Sequence, residues 1–151
     1  MIALACDHGG FDLMEGIRKY LGSAGYEFKD FGTFSPDSCD YPVIMAPAAS
    51  AVAAGACDKG IFICGTGIGM SMAANKTPGI RAALCTNSYM AEMTRSHNNA
   101  NVLILGGRVT EVESAIEIVK VFLCTDFSEK EKHCRRVAML NELDSKRNEV
   151  Y

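Results

Sequence analysis

The feature that most constrains the fold is an alternation of short, continuously apolar runs with segments of helical periodicity. Five apolar runs have the length of buried strands: residues 2–6, 26–31, 60–64, 81–85 and 102–105. Apolar side chains recur at helical spacing in residues 11–24, 42–56, 88–96 and 110–123, and a short helix is expected after the glycine turn at 65–69. Strands that are apolar throughout are typical of a parallel sheet covered by helices on both faces.

This pattern predicts a Rossmann-like, three-layer α/β/α sandwich around a five-stranded parallel sheet. We expect right-handed crossovers between the parallel strands. Among the strand orders of doubly wound sheets, we expect 2-1-3-4-5. A chain of 151 residues corresponds to one domain, and we assign its α/β body to residues 1–127. No internal repeat or linker divides it.

Residues 128–151 have a different character from the body. Six of the fifteen Lys and Arg residues lie after residue 128, and Val137, Leu140 and Leu143 form only a narrow apolar stripe. We interpret this segment as an extra C-terminal helix that packs on a partner subunit. A solvated helix lying on its own domain is the alternative that the pattern leaves open.

Composition excludes several classes of protein. No apolar run approaches the roughly 20 residues of a membrane span, and the N-terminus lacks the basic region of a secretory signal. A net charge of -3 argues against a nucleic-acid or membrane surface as partner. Seven scattered cysteines without a C-x-x-C pair indicate reduced thiols in a cytoplasmic protein, and no metal site is expected.

Polar, glycine-bearing segments follow the first and third predicted strands. They are residues 7–10 (Asp-His-Gly-Gly) and residues 65–69 (Gly-Thr-Gly-Ile-Gly), the latter directly after Cys64. In open α/β sheets, ligands bind beyond the carboxyl ends of the strands, near the switch in strand order. The first and third strands flank that switch, so we expect both segments to line the ligand site.

The glycine turn does not match a dinucleotide fingerprint. Such a fingerprint follows the first strand and has an acidic residue about 20 positions later, whereas this turn follows the third strand and no Asp or Glu occurs between Gly69 and Glu92. Its main-chain N–H groups are suited to a phosphate or to an oxyanion that develops during a reaction. A thiol at that position, Cys64, is favoured as thiolate, although an arbitrary strand-end cysteine is more often inert.

Several motifs along the chain resemble those of the type B ribose-5-phosphate isomerases, the family that includes allose- and galactose-6-phosphate isomerases. The resemblance runs from the first strand into the tail, and its motifs recur in the family's order. They are Ala-Cys-Asp-His-Gly-Gly at 5–10, Asp-Tyr-Pro at 40–42, Cys-Gly-Thr-Gly-Ile-Gly-Met-Ser at 64–71, Ala-Ala-Asn-Lys at 73–76, Gly-Ile-Arg-Ala at 79–82, His-Asn-Asn-Ala-Asn at 97–101, Gly-Gly-Arg at 106–108 and His-Cys-Arg-Arg at 133–136.

The resemblance implies a metal-free, cofactor-free aldose–ketose isomerase of the pentose phosphate pathway that interconverts two five-carbon sugar phosphates, ribose 5-phosphate and ribulose 5-phosphate. It also implies a homodimer or a dimer of dimers, with the site at the subunit interface. The implied catalytic residues are Cys64 as the base between carbons 1 and 2, His97 for opening the furanose ring, Thr66 for holding the enediolate and Asp7 for moving a hydroxyl proton.

The implied substrate-binding residues divide by the part of the sugar they hold. Gly65, Gly67 and Gly69 belong to the amide turn around the enediolate oxygen, and Asn98 and Tyr41 hold hydroxyls. The phosphate is assigned to His8, Arg108, Lys132 and Arg136.

Two positions qualify this assignment. A second branch of the family lacks the cysteine and uses a glutamate further along, near Asn75 of this chain, whose amide is not a base. Lys132 stands where many members have Arg, which keeps the charge but loses the bidentate grip.

Two alternative functions remain. One is an isomerase with a six-carbon substrate such as allose 6-phosphate, and the other is a non-catalytic module that binds a phosphate ligand.

Overall fold

A computed structural model describes residues 1–146 of the chain, in which a five-stranded parallel sheet is covered by helices on both faces. The elements follow one another as β1 (Ile2–Cys6), α1 (Phe11–Ser23), β2 (Phe28–Asp30), α2 (Tyr41–Ala53), β3 (Lys59–Cys64), α3 (Ile68–Ala74), β4 (Ala82–Leu84), α4 (Ser88–Asn98), β5 (Val102–Gly106), α5 (Val112–Cys124) and α6 (Glu131–Lys146). A single 3₁₀ turn, His8–Gly10, joins β1 to α1.

Two apolar cores lie on opposite faces of the sheet. Helices α1, α4 and α5 cover one face, where Met14, Ala91 and Phe122 are fully buried against the strands. Helices α2 and α3 cover the other face with side chains that include Ala48 and Met70. The predicted three-layer fold is therefore confirmed. Within residues 1–146, no helix is both long enough and apolar enough to cross a membrane.

The predicted strand order was wrong for the last two strands. The observed order is β2-β1-β3-β5-β4, because β5 pairs with both β3 and β4. All five residues of β5 are buried, whereas β4 has only three residues and each is partly exposed. A short, incompletely buried strand suits a sheet edge. The chain consequently turns back from β4 to β5, which puts α4 on the face of α1 and α5 when the crossover is right-handed.

The C-terminal helix α6 contacts the body of its own chain. His133 and Val137 are buried, the main-chain N–H of Gly79 donates to Asp144 Oδ2 at 2.9 Å, and Arg81 donates to Asn141 Oδ1 at 3.3 Å. Leu143 nevertheless remains 62% exposed. Packing on a partner subunit stays a prediction, and residues 147–151 of the predicted helix lie outside the described residues.

Candidate active site

Three loops meet at the carboxyl ends of the neighbouring strands β1, β3 and β5. The N–H of Gly107 donates to the carbonyl of Cys64 at 2.8 Å, and the N–H of Arg108 donates to the carbonyl of Gly65 at 2.9 Å. A Cβ on Gly107 would lie 2.4 Å from the carbonyl oxygen of Gly9, so main chain packs directly on main chain. We call residues 7–10, 64–69 and 106–108 the strand-end region. Its third loop joins because β5, rather than β4, lies beside β3.

The glycine turn after β3 has a shape that only glycine adopts easily at its centre. Gly67 has φ +78°, in the left-handed region, and a Cβ there would lie 2.5 Å from Leu84 Cδ1. The turn ends where α3 begins at Ile68, whose N–H donates to the Thr66 hydroxyl at 3.4 Å. Thr66 itself is exposed, so its side chain is accessible from solvent.

Two other glycines of this turn make room for side chains of the candidate site. Arg108 passes over Gly65, with a guanidinium nitrogen 3.4 Å from the place a Cβ would take. The ring of Tyr41 lies over Gly69, 2.7 Å from the corresponding place. Tyr41 is the first residue of α2, which packs on the same face of the sheet as α3. The structure thus brings the start of α2 to the turn that precedes α3. The structure therefore brings Arg108 and Tyr41 together beside the glycine turn.

Cys64 is the last residue of β3 and carries a free thiol that is 5% exposed. Two other cysteines, Cys6 and Cys85, also lie at strand ends and are buried. Burial raises the pKa of the Cys6 thiol to about 11, and burial raises that of Cys85 to about 11 as well. Those two thiols stay protonated and behave as small apolar side chains. Of these three thiols, only that of Cys64 adjoins the glycine turn.

Asp7 and His8 are held by contacts that set their orientation. Asp7 Oδ1 accepts the N–H of Gly10 at 3.1 Å, capping the 3₁₀ turn, and the side chain is buried. His8 Nδ1 lies 3.3 Å from the main-chain N–H of Cys39, which donates to it. Because an N–H can only donate, the ring proton of neutral His8 is on Nε2. Sequence reasoning missed Cys39, since a contact made by the main chain leaves no mark on the residue type.

The other four predicted site residues lie at the opposite end of the sheet. His97 and Asn98 end α4, beside the amino ends of the strands, and Lys132 and Arg136 lie on α6. The length of β5 alone separates the two ends by about 13 Å. Asn98 also lines a cleft of about 290 Å³ beside α6, away from Cys64. One chain therefore does not bring His97 to Cys64.

His97 is exposed but stacks on a buried histidine. Its ring centroid lies 4.2 Å from that of His133, with 38° between the ring planes. Ser128 Oγ lies 2.6 Å from His133 Nδ1. Burial lowers the pKa of His133, and His97, Lys132, Lys130 and Arg136 lower it further, in that order. We call residues 97–98 and 128–136 the helix-end region.

His133 corrects the interpretation of the tail as a solvated charged face. The neighbouring residues Lys132 and Arg136 are exposed, as that interpretation expects, but His133 is buried against α4. The sequence does contain an indication of this burial, because His133 lies four positions before the apolar Val137 and therefore on the same face of the helix. The basic residues on either side of His133 made that indication hard to recognise.

Asn75 does not act as a base in this structure. Its side-chain amide donates to the carbonyl of Ala82 at 2.9 Å and accepts the N–H of Ala82 at 2.9 Å. The side chain thus pairs with the edge strand β4 as another strand would. Among residues 1–146, no three His, Cys, Asp or Glu side chains are grouped so that they could hold a metal ion.

The chain is similar in sequence and structure to proteins named as sugar isomerases. A profile described as Ribose/Galactose Isomerase matches residues 2–140. Ribose-5-phosphate isomerase B of Escherichia coli (strain K12) is 44% identical over 147 residues, which make up 97% of this chain and 98% of that protein. The solved ribose-5-phosphate isomerase B of Clostridium thermocellum has a TM-score of 0.93 at 50% identity, covering 96% of this chain and 97% of that one. The one from Thermotoga maritima has a TM-score of 0.91 at 46% identity, covering 93% and 97%.

Proposed function

The chain belongs to the ribose/galactose isomerase family of aldose–ketose isomerases, and we propose that it interconverts ribose 5-phosphate and ribulose 5-phosphate. The observation that carries this proposal is the position of Cys64 beside the glycine turn, in contact with the loops that hold Asp7, His8 and Arg108. An acid–base group next to oriented N–H donors is what proton transfer beside a carbonyl requires.

In the proposed reaction, the Cys64 thiolate takes the proton from carbon 2 of the open-chain aldose. The electron pair of that C–H bond forms the C1–C2 double bond of an enediolate, whose oxygen is held by Thr66 and the N–H groups at 65–69. Asp7 moves the proton of the 2-hydroxyl to the oxygen on carbon 1. The thiol then returns its proton to carbon 1, which gives the ketose and restores the thiolate.

Four side chains, two at each end of the molecule, are assigned to hold the phosphate. His8 offers the N–H on Nε2, because its Nδ1 is occupied by the N–H of Cys39. Arg108 is held over Gly65 and is exposed. Lys132 and Arg136 are exposed on α6 and complete the phosphate grip from the helix-end region.

Opening of the sugar ring is assigned to His97, because the cyclic form exposes no carbonyl. His97 moves a proton between the ring oxygen and the hydroxyl on carbon 1, and Asn98 and Tyr41 hold substrate hydroxyls. These roles require the helix-end region to lie against a strand-end region, which a single chain does not achieve.

We therefore propose that the enzyme is a homodimer, alone or paired into a tetramer, in which His97 of one subunit faces Cys64 of the other. Exposed apolar side chains beside the strand-end region support this arrangement, since Ile68 is 51% and Met72 is 65% exposed on α3. The exposed Leu143 on α6 offers a second such surface. Seven free cysteines support a cytoplasmic location.

Mixing two inactive variants tests the shared site. In Cys64→Ala and His97→Ala each chain lacks one half of the site, so each protein alone should be nearly inactive. After the two are unfolded and refolded together, half of the dimers are mixed, and each mixed dimer has one intact site. About a quarter of the wild-type isomerase activity should return.

The control is a mixture of Cys64→Ala with Thr66→Ala, whose lesions lie in the same half of the site. In a mixed dimer of that pair, both sites carry a lesion, so no activity should return. Recovery in the control as well as in the test pair, or in neither, contradicts the shared site. If the wild-type protein fails to isomerise ribose 5-phosphate, the substrate proposal itself is wrong.

A six-carbon sugar phosphate is the second candidate, because the family description includes galactose as well as ribose. Allose 6-phosphate carries the same phosphate and the same ring-opening requirement on a chain one carbon longer. Comparing kcat/KM on ribose 5-phosphate and allose 6-phosphate decides between them. We expect the five-carbon substrate to have the larger value.

A further inference from the structure

The structure supplies His97 with a buried partner that the proposed chemistry leaves unused. His97 is exposed at the end of α4, where a free imidazole would sample several orientations. The ring of His133 lies against it at a centroid distance of 4.2 Å. Stacking on a fixed ring restricts the orientation of an exposed one.

His133 is itself held in place by Ser128. Ser128 Oγ lies 2.6 Å from His133 Nδ1, and the main-chain N–H of Ser128 donates to the carbonyl of Ser96 on α4 at 3.0 Å. The contacts therefore run from the main chain of α4 through Ser128 and His133 back to His97. This closed arrangement joins α4 and α6 directly behind the exposed imidazole.

The charges around His133 keep it neutral. His97 faces it from α4, Lys132 and Arg136 from α6, and Lys130 from the preceding loop. Burial and these neighbours all lower its pKa. A neutral partner lets His97 accept a proton without repulsion from a second charged imidazole.

We propose that His133, fixed by Ser128, is a positioning residue that orients His97 for opening the sugar ring. This inference rests on the proposed function. His133 touches no reacting atom in it, so its removal should impair only the step that His97 performs. Proton transfer by Cys64, which occurs at the strand-end region of the other subunit, should continue.

Two reactions of the same enzyme separate these steps. Isomerisation of ribose 5-phosphate begins with ring opening. Ribulose 5-phosphate cannot close a furanose ring, because its carbon-5 oxygen carries the phosphate. Exchange of its carbon-1 proton with deuterated solvent therefore reports on the base alone.

The variants are His133→Asn, which keeps a polar atom toward Ser128 but has no ring, and Ser128→Ala, which keeps the ring but frees it. Cys134→Ser, at the exposed neighbouring position, is the control. We expect kcat from ribose 5-phosphate to fall about tenfold in His133→Asn and about threefold in Ser128→Ala. Proton exchange in ribulose 5-phosphate should stay within about twofold of the wild type in all three.

Equal losses in isomerisation and exchange overturn the inference, as does a His133→Asn variant that behaves like Cys134→Ser. A rise in KM for both sugars with kcat retained also overturns it, since that would mean that α6 had detached with Lys132 and Arg136. Circular dichroism and sedimentation confirm that each variant is folded and assembled. Cys64→Ala loses both reactions if the proposed function is correct, and a wild-type enzyme without either reaction overturns that function instead.

Discussion

The strand-end and helix-end regions are built in different ways. The strand-end region is held by main-chain contacts between three loops, and Gly107 packs against the carbonyl of Gly9 without space for a side chain. The helix-end region consists of side chains on two helices, joined through Ser128, His133 and a few polar contacts. The sheet therefore preforms the strand-end region, which is one half of the proposed site. The other half depends on how α6 docks.

The largest effect is expected at Cys64, because the strand-end region carries the proposed proton transfer. Cys64→Ser replaces the thiol by a hydroxyl that is a far weaker acid, so kcat should fall by about 10³-fold or more. KM should change little, since the phosphate contacts remain. Steady-state kinetics on ribose 5-phosphate measure both. A kcat within a fewfold of that of Cys134→Ser would move the chemistry away from the strand-end region.

Backbone packing predicts the next largest effect. In Gly107→Ala the new Cβ meets the carbonyl of Gly9 at 2.4 Å, so the free energy of unfolding should fall by about 2 kcal/mol. Gly22→Ala is the matched control, because a Cβ there meets nothing within 4 Å. Gly22 lies in α1, so replacing it by Ala should raise the free energy of unfolding by about 0.5–1 kcal/mol. Urea titrations measure both. Similar values for the two variants would refute the tight packing of the strand-end region.

Two buried side chains, Cys6 at the end of β1 and His133 on α6, should make the protein sensitive to opposite ends of the pH scale. Burial raises the pKa of Cys6 to about 11, so above pH 9 the unfolded chain loses a proton that the folded one keeps. Stability should therefore decline as pH rises from 9 to 11. The pKa of His133 is lowered by burial. Below its ordinary value of 6.5, undocked His133 gains a proton that docked His133 resists, so acid should weaken the docking of α6.

Two measurements check these signs. Urea titrations between pH 8 and pH 11 should show a shallower decline for Cys6→Ala than for the wild type. Limited proteolysis at pH 5 and pH 7 should show faster cleavage of α6 at the lower pH in the wild type. His133→Asn has no imidazole to titrate, so it controls for the effect of pH on the protease itself. Its cleavage rate should lack the increase at low pH that the wild type shows. An identical increase in that variant would remove His133 as the cause.

The smallest effect is expected at the edge of the helix-end region. Lys132→Arg restores a bidentate phosphate donor, so KM for ribose 5-phosphate should fall by about twofold to fivefold while kcat stays unchanged. Lys130→Arg, a nearby position without a phosphate role, is the control. An unchanged KM in both variants would mean that residue 132 does not contact the phosphate.

The elements of the body could be read from local patterns, because each depends on its own side chains. The apolar side chains that recur at helical spacing in α1, such as Met14 and Ile17, are buried. The order of β4 and β5 could not be read in this way, since it follows from which strand is buried more completely by the rest of the fold.

The candidate site likewise has features that the local sequence predicts and features that depend on contacts between distant segments. The residues at or just after a strand end, Asp7, His8 and Cys64, were placed together by the rule for strand ends, and the structure puts their loops in contact. The contacts of Cys39 with His8 and of Ser128 with His133 were not predictable. The first involves a main-chain group, and the second depends on the angle at which α6 returns to α4.

Taken alone, the amino-acid order determined a parallel α/β sandwich and the kinds of side chain available at its strand ends, because hydrophobic periodicity and glycine placement act over a few neighbouring residues. The tertiary structure decided the position of β5 between β3 and β4, the burial of His133 and the separation of His97 from Cys64. Those features arise from contacts between segments distant in the chain, whose free energy depends on how all the layers pack together.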